Sequence, residues 1–165
     1  MKQFEVIAEQ SGEVLTLKFS GFLNEEADFA ALPEPQSKNV ILNLEQLEGS
    51  NSLGLKKWIN WITPVSKQVQ LTLAKAPPEI VQQLSILGGF VPKGANIRSI
   101  YLPYYCESCG HEENVLFENG SGFYTGTEET KPGYRIDDER PCNQCGGSME
   151  ADVLPESYFK FLFQK

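Results

Sequence analysis

The chain has 165 residues, of which 41% are hydrophobic and 22% are charged, and this balance excludes a chain that is disordered throughout. The formal net charge of −8 argues against nonspecific binding to nucleic acid or to an anionic membrane, because both need a basic surface. Residues 1–103 contain 9 Lys/Arg and 10 Asp/Glu, whereas residues 104–165 contain 5 and 12. All four cysteines also lie in the second part, so the sequence predicts two domains, 1–103 and 104–165.

The N-terminal residues MKQFEVIAEQ lack the apolar core of a secretory signal, and the chain has no run of about 18 apolar residues. We therefore expect a cytoplasmic protein without a membrane-spanning helix. Thiols stay reduced in that compartment, where paired cysteines bind metal more often than they form disulfides. The oligomeric state is left open.

In chain order, the first predicted unit is a β-hairpin. Residues 4–8 and 14–19 alternate apolar and polar side chains around a turn at residues 10–13, and Gly21 ends the second strand. Asn24 then precedes a group of acidic residues, which favours a helix N-terminus. The predicted short helix is ended by Pro33 and Pro35.

The next predicted unit is a buried strand, a loop and a helix within residues 40–62. The apolar run Val40–Leu44 is typical of a strand covered on both faces in a parallel sheet. The helix is predicted to start around Ser52 and to stop at Pro64, because apolar residues recur at helical spacing between them. In open α/β sheets, partner and ligand sites gather where such a strand ends.

Three further elements complete the first part. They are a strand at residues 69–73, a helix opened by Pro77 and Pro78 and ended by Gly88 and Gly89, and a last strand at residues 97–102. The order predicts an α/β domain, a mixed sheet with a largely parallel centre and flanking helices.

The second part has a different character. Residues 115–117 and 122–124 are predicted as short strands around the turn Glu118–Gly120, and residues 128–139 as a loop. Tyr158–Phe163 is predicted as a closing strand or as a short helix packed on the first domain.

The four cysteines form two copies of C-x-x-C-G that are separated by 32 residues: Cys106, Cys109, Cys142 and Cys145. Two such turns can place four thiolates at the corners of a tetrahedron, which Zn²⁺ prefers. A zinc ion would also offset the small core of a segment of about 60 residues. We therefore predict a small β-rich domain that resembles a zinc ribbon, with a closed, structural Zn²⁺ site rather than a catalytic one.

Alternatives to this metal site remain. A dithiol redox pair would need an adjacent α/β motif, and two disulfides would need an oxidising compartment. His111, the single histidine, is an alternative ligand, although we expect it at the surface or hydrogen-bonded to a ligand.

Residues 4–102 resemble the STAS family, which includes anti-sigma-factor antagonists and the cytoplasmic domains of sulfate transporters. The resemblance lies in the element order and in two segments, VILNLEQLEGSNSLGLKKW and PPEIVQQLSILGGF. It implies a STAS-like mixed sheet flanked by helices and no catalytic centre. It also implies function through a protein partner, such as an anti-sigma factor or a serine-kinase-type regulator.

The resemblance further implies that Ser52 is a phosphoacceptor. The family's loop reads Asp-Ser-Ser/Thr-Gly, whereas this chain has Asn51 in place of the aspartate and Leu53 in place of the second hydroxyl. Without the aspartate, a helix N-cap role for Ser52 or Asn51 is favoured over phosphorylation. The predicted partner site is the loop and helix at residues 48–60. Its predicted partner-binding residues are Ser50, Asn51, Gly54, Lys57, Trp58 and Trp61, although only one of the two tryptophans can face the core.

The sequence thus predicts a non-enzymatic regulatory or protein-interaction protein. It contains no histidine–nucleophile arrangement, no glycine-rich phosphate loop and no H-E-x-x-H motif. The alternative is a ligand- or nucleic-acid-binding protein whose ribbon carries the function. Nucleic acid ranks lower because the second part is acidic.

Overall fold

The computed structural model describes residues 2–137 and 139–164, which form a mixed α/β architecture with three sheets. The first sheet has the order β1-β2-β3-β4-β5, with β1 antiparallel to β2 and every other pair parallel. The predicted mixed sheet with a parallel centre is therefore confirmed. Its strands are β1 (Glu5–Ser11), β2 (Val14–Leu23), β3 (Asn39–Ser50), β4 (Gln70–Ala74) and β5 (Asn96–Ile97).

The predicted hairpin is present, but its second strand does not end at Gly21. The strand β2 runs on to Leu23 beside β3, with register shifts after Lys18 and after Gly21 that bend the pair. Gly21 has a φ of +83°, and a Cβ there would lie 2.0 Å from the carbonyl oxygen of Gln3. The glycine therefore permits a close crossing of two chain segments rather than a strand end.

The helix predicted after Asn24 is wrong. The Asn24 Oδ1 atom accepts a hydrogen bond from the backbone N–H of Glu26, and Asp28 Oδ1 accepts one from Ala30. These contacts fold residues 24–30 into successive tight turns. The side chains of Asn and Asp can either cap a helix or close such a turn, and here they close turns.

Two helices connect the parallel strands, α1 (Ser52–Ser66) and α2 (Pro78–Ile86). The helix α1 starts where predicted but continues past Pro64, which lies in its last turn. The helix α2 ends before Gly88, as predicted, and contacts both β3 and the second sheet. No helix in the described ranges has the length and apolar character needed to cross a bilayer.

The second sheet has the order β10-β11-β6-β7 and is antiparallel throughout. The single strand predicted at residues 97–102 is wrong, because residues 96–97 form β5 of the first sheet and residues 99–106 enter the second. The sheet's strands are β6 (Ser99–Cys106), β7 (Glu112–Glu118), β10 (Arg140–Pro141) and β11 (Ser148–Ala151).

The predicted strands near residues 115–117 and 122–124 exist but do not pair with each other. The strand β7 pairs with β6, whereas β8 (Phe123–Tyr124) pairs with β9 (Gly133–Tyr134), a strand in the segment predicted to be a loop. The tail adopts the helical alternative, as α3 (Pro155–Tyr158) followed by a 3₁₀ helix (Lys160–Phe163), and it packs on α2.

The sheets share one contiguous hydrophobic core, in which Leu42 of β3, Ile80 of α2 and Leu102 of β6 are all fully buried. Main-chain hydrogen bonds also join the sheets at Ala76, whose N–H donates to Ser99 and whose carbonyl accepts from Tyr101. The predicted boundary at residue 103 lies inside β6. The division into two domains stays a prediction.

Candidate metal centre and candidate partner site

The two C-x-x-C-G segments fold into turns with the same backbone hydrogen bonds. In the first, the N–H of Gly110 donates to the carbonyl of Cys106, and in the second the N–H of Gly146 donates to that of Cys142. The two glycines have φ values of +77° and +74°, which a residue with a side chain rarely adopts. The glycine that follows each second cysteine is thus required to close the turn.

The turns bring the four sulfur atoms together. The Sγ atoms of Cys106 and Cys145 lie 3.6 Å apart, those of Cys109 and Cys142 lie 3.7 Å apart, and all four lie within 4.8 Å of one another. A disulfide would need about 2.05 Å, and all four cysteines are free. The four cysteines are therefore positioned to hold a metal ion.

The electrostatics of the sulfurs fit a cation. The backbone N–H of Cys109 lowers the pKa of the Cys106 thiol to about 7, and the N–H of Cys145 likewise lowers the pKa of Cys142. At Cys109, the N–H of His111 favours the thiolate, but burial and the other three sulfurs together raise the pKa to about 12. A shared positive charge removes this mutual opposition, because it stabilises all four thiolates together.

The His111 ring does not join the cluster. Among the described residues, the ligand atoms within 4.8 Å of one another are the four sulfurs alone. The His111 carbonyl instead accepts a hydrogen bond from the N–H of Cys106 at 2.9 Å, so this residue supports the first turn through its backbone.

The N-terminus of α1 forms the candidate partner site. Asn51 is the N-cap, because its Oδ1 accepts a hydrogen bond from the N–H of Gly54 at 2.8 Å. Ser52 is the first residue of the helix and is exposed. Of the two residues considered for the capping role, Asn51 fills it and leaves the Ser52 hydroxyl at the surface.

The segment after β2 is fastened to this helix end. The Nδ2 of Asn51 donates to the carboxylate of Glu25 at 2.8 Å, and the Lys57 ammonium donates to the carbonyls of Glu25 and Ala27, the latter at 3.1 Å. The hydrogen bond from Asn51, then one from the Glu25 backbone and the charge of Lys57, lower the pKa of the Glu25 carboxyl. Lys57 is thus engaged within the protein while part of its side chain remains exposed.

Gly54 lies where this segment crosses the helix. A Cβ atom at position 54 would approach the carbonyl oxygen of Leu23 to 2.1 Å, and the same oxygen accepts a hydrogen bond from the N–H of Asn51 at 3.0 Å. Gly54 is buried and serves the close approach rather than a partner.

The two tryptophans differ in exposure. Trp58 is fully buried, its Nε1 donates to the carbonyl of Phe90 at 3.0 Å, and its ring stacks on the Phe90 ring. It therefore has no surface to offer a partner in this conformation. Trp61 is half-buried and stacks on Phe29 at a centroid distance of 4.9 Å. Ser50 is also half-buried, and its Oγ has no hydrogen-bond partner among the described residues.

The sequence reasoning missed Leu53. This side chain is 57% exposed in the first turn of α1, next to Ser52. The signal was available, because Leu53 does not fall on the helical stripe formed by Leu55, Trp58 and Ile62. An apolar residue off that stripe faces solvent.

A comparison of the sequence with models of protein families and with curated proteins gives no match.

Proposed function

We propose that the protein is a non-enzymatic regulatory module of the STAS type, which binds a protein partner through the first two turns of α1. The observation that carries this proposal is the exposed pair Ser52 and Leu53 at the end of the central parallel strand β3. The contacts of Asn51 and Lys57 hold that helix end in one conformation. A preformed surface lowers the entropic cost of binding.

The proposed partner is an anti-sigma factor or a serine-kinase-type regulator, and Ser52 is the proposed phosphoacceptor. A phosphate on Ser52 would lie at a helix N-terminus, where anions are favoured, but near the Glu25 carboxylate that Asn51 already binds. Phosphorylation would thus compete with the Asn51–Glu25 contact and loosen the segment that shapes the surface.

We propose Zn²⁺ as the metal. Four thiolate ligands that leave no open coordination position are typical of structural zinc. Bound to both cysteine turns, the ion would hold the end of β6 close to the start of β11. This role supports a cytoplasmic protein, because a reducing compartment keeps the thiols available. Metal analysis of protein purified under reducing conditions tests the identity, and less than one zinc per chain would contradict it.

Site-specific photo-crosslinking in the native cells tests the partner site. A photoreactive amino acid is placed at position 53. The matched control places it at position 86, because Ile86 is 78% exposed and lies in a different helix, α2. We expect one protein adduct from position 53, absent from position 86, that mass spectrometry identifies as a regulator of the proposed class. Identical adducts at both positions, or none at position 53, would contradict the proposal.

A second experiment separates phosphorylation from binding. The identified partner is tested against Ser52→Ala, Ser52→Glu and Leu53→Glu variants. We expect Ser52→Ala to bind, whereas Ser52→Glu and Leu53→Glu lose binding. If Ser52→Glu binds as well as the parent chain, Ser52 has no switching role even though the partner site stands.

A further inference from the structure

The outer face of the second sheet has an unusual composition. Along β6, buried Ile100, Leu102 and Tyr104 alternate with residues that point the other way. An antiparallel sheet with one solvated face normally carries polar side chains at those outward positions. Here the outward residues are Tyr101, Pro103 and Tyr105.

Leu116 of β7 extends this apolar strip. It pairs with Tyr101 across the strands and is 38% exposed, while Tyr105 is 37% exposed. Tyr101 and Pro103 are each partly exposed. The strip of Tyr101, Pro103, Tyr105 and Leu116, which we call the β6 face, is therefore accessible.

Pro103 fits this central strand for a specific reason. Its carbonyl accepts a hydrogen bond from the N–H of Asp152, on the side of β11, and β11 ends at Ala151. The N–H that proline lacks would point to the same side, where the neighbouring strand has ended. The proline therefore interrupts the pairing only at the end of β11, and its ring adds an apolar group to the middle of the face.

Carboxylates surround the β6 face on both sides. Glu150 of β11 and Glu112 of β7 pair with Tyr105 from opposite sides. Asp152 and Glu118 add exposed charges further along. Among the described residues, none of these four carboxylates makes an ion pair. Of the described carboxylates near the face, Glu45 alone has a basic partner, Lys75, and it also accepts a hydrogen bond from the Tyr101 hydroxyl at 2.5 Å.

We propose that the β6 face docks a basic amphipathic helix of a protein partner, whose apolar stripe covers the tyrosines and whose arginines reach the carboxylates on both sides. The dimensions agree. The strands that flank β6 lie about 10 Å apart, close to the diameter of a helix. Residues 101–105 extend over about 13 Å, the length of about nine helical residues. Arginine suits the site because it stacks on tyrosine and pairs with carboxylate.

Charge distinguishes this occupant from others. A second copy of the chain would bring the same carboxylates against each other, and nucleic acid or an anionic membrane would be repelled. The charge of the β6 face is also opposite to that of the N-terminal half of α1, where Lys56 and Lys57 are exposed. The proposal is therefore independent of the partner site proposed above.

A titration of the full chain with a designed peptide tests the proposal. The probe is an 18-residue helical peptide with one leucine stripe flanked by arginines, and its control has the same residues in scrambled order. Binding is followed by calorimetry and by the amide chemical shifts of the ¹⁵N-labelled protein. We expect shifts at residues 101, 102, 104, 105 and 116, an affinity that falls with added salt, and weaker binding of the scrambled peptide.

Matched variants make the outcome specific. Tyr105→Ala should weaken binding at least about tenfold, whereas Tyr124→Ala should leave it nearly unchanged, because Tyr124 is 40% exposed outside the face. The double variant Glu112→Gln/Glu150→Gln should weaken binding more than Glu128→Gln/Glu129→Gln, which removes the same charge from an exposed loop.

Four outcomes would overturn the proposal. They are the absence of binding, equal affinity for the scrambled peptide, equal effects of the two charge variants, and self-association of the protein alone that Tyr105→Ala abolishes. The last result would assign the face to a second copy of the chain.

Discussion

Asn51 uses both ends of its side-chain amide at the start of α1. Its Oδ1 caps α1, which an aspartate would do equally well, but its Nδ2 also donates to the Glu25 carboxylate. An aspartate would place two carboxylates against each other. The amide at position 51 is therefore required by Glu25, which lies 26 positions earlier in the chain.

We predict that Asn51→Asp raises the pKa of Glu25, whose ordinary value is 4.5. The lowered pKa in the parent chain stabilises the fold above the ordinary pKa, and this contribution is lost as the pH falls through the lowered value. The variant should thus be less stable at pH 7, and the difference should shrink near pH 3. Carboxyl NMR titration and urea unfolding measure both effects, and Glu25→Gln should restore the variant's stability at pH 7.

Gly54→Ala should destabilise the protein by at least about 2 kcal/mol, because the new methyl group meets the backbone of Leu23 rather than a movable side chain. In an exposed helix the same change would stabilise by about 1 kcal/mol. Gly88→Ala is the matched control, since nothing lies within 4 Å of its Cβ position. Urea denaturation of both variants measures the difference, and equal stabilities would refute the close approach.

At the level of elements, hydrophobic periodicity predicted those strands and helices of residues 1–103 that have a strong apolar pattern. It identified β3 and α1 because a buried run and a helical stripe are local features. It failed after Asn24, where the same side chains can cap a helix or close a turn and only packing decides. It also failed at residues 96–106, because an apolar run does not state which sheet a strand joins.

The tail and α2 are joined by one buried hydroxyl. The Oγ of Ser85, which is 5% exposed, donates to the carbonyl of Tyr158 at 3.0 Å and accepts from the N–H of Phe161 at 3.3 Å. Ser85→Ala leaves both backbone groups buried without this partner. We predict a loss of about 1–3 kcal/mol in the free energy of unfolding.

Ser157→Ala is the control for this prediction, because Ser157 is exposed in α3 on the same side of the protein. It should change the stability by no more than about 0.5 kcal/mol. Thermal unfolding followed by circular dichroism compares the two variants. A neutral Ser85→Ala variant would show that water satisfies the two groups.

On the scale of the whole molecule, we predict that removing the metal destabilises the first sheet as well as the second. The strand β6 carries Cys106 at one end and core residues Ile100 and Leu102 along its length. Chelation should lower the melting temperature by at least about 10 °C, in a single transition. Tryptophan fluorescence reports the first part, since both tryptophans lie in α1.

The opposite result would be equally informative. If chelation left the fluorescence transition in place while circular dichroism showed loss of strand, the two parts would be separate domains near the boundary predicted from composition. As a control, the same measurement on a Cys106→Ser/Cys109→Ser variant should show no response to the chelator.

The two candidate sites differed in how far the sequence could predict them. The metal centre was predictable residue by residue, because C-x-x-C-G fixes a local turn and four cysteines define a ligand set. The close approach of Leu23 to Gly54 was not predictable, because the sequence does not indicate which distant segment passes over the helix. The β6 face depends on strand register, so neither the exposure of Tyr105 nor its acidic neighbours could be read from periodicity.

The hydrogen bonds of Ala76 with Ser99 and Tyr101 connect the main chains of the first and second sheets. The strand β6 joins the cysteine cluster to the parallel sheet, because Cys106 is its last residue and its residues Ser99 and Tyr101 bond to Ala76, just beyond the end of β4. Occupants of the β6 face would press on the same strand between these two points. The metal, the docked helix and the parallel sheet would then all contact one strand, and we expect binding at one of the two sites to change the affinity at the other.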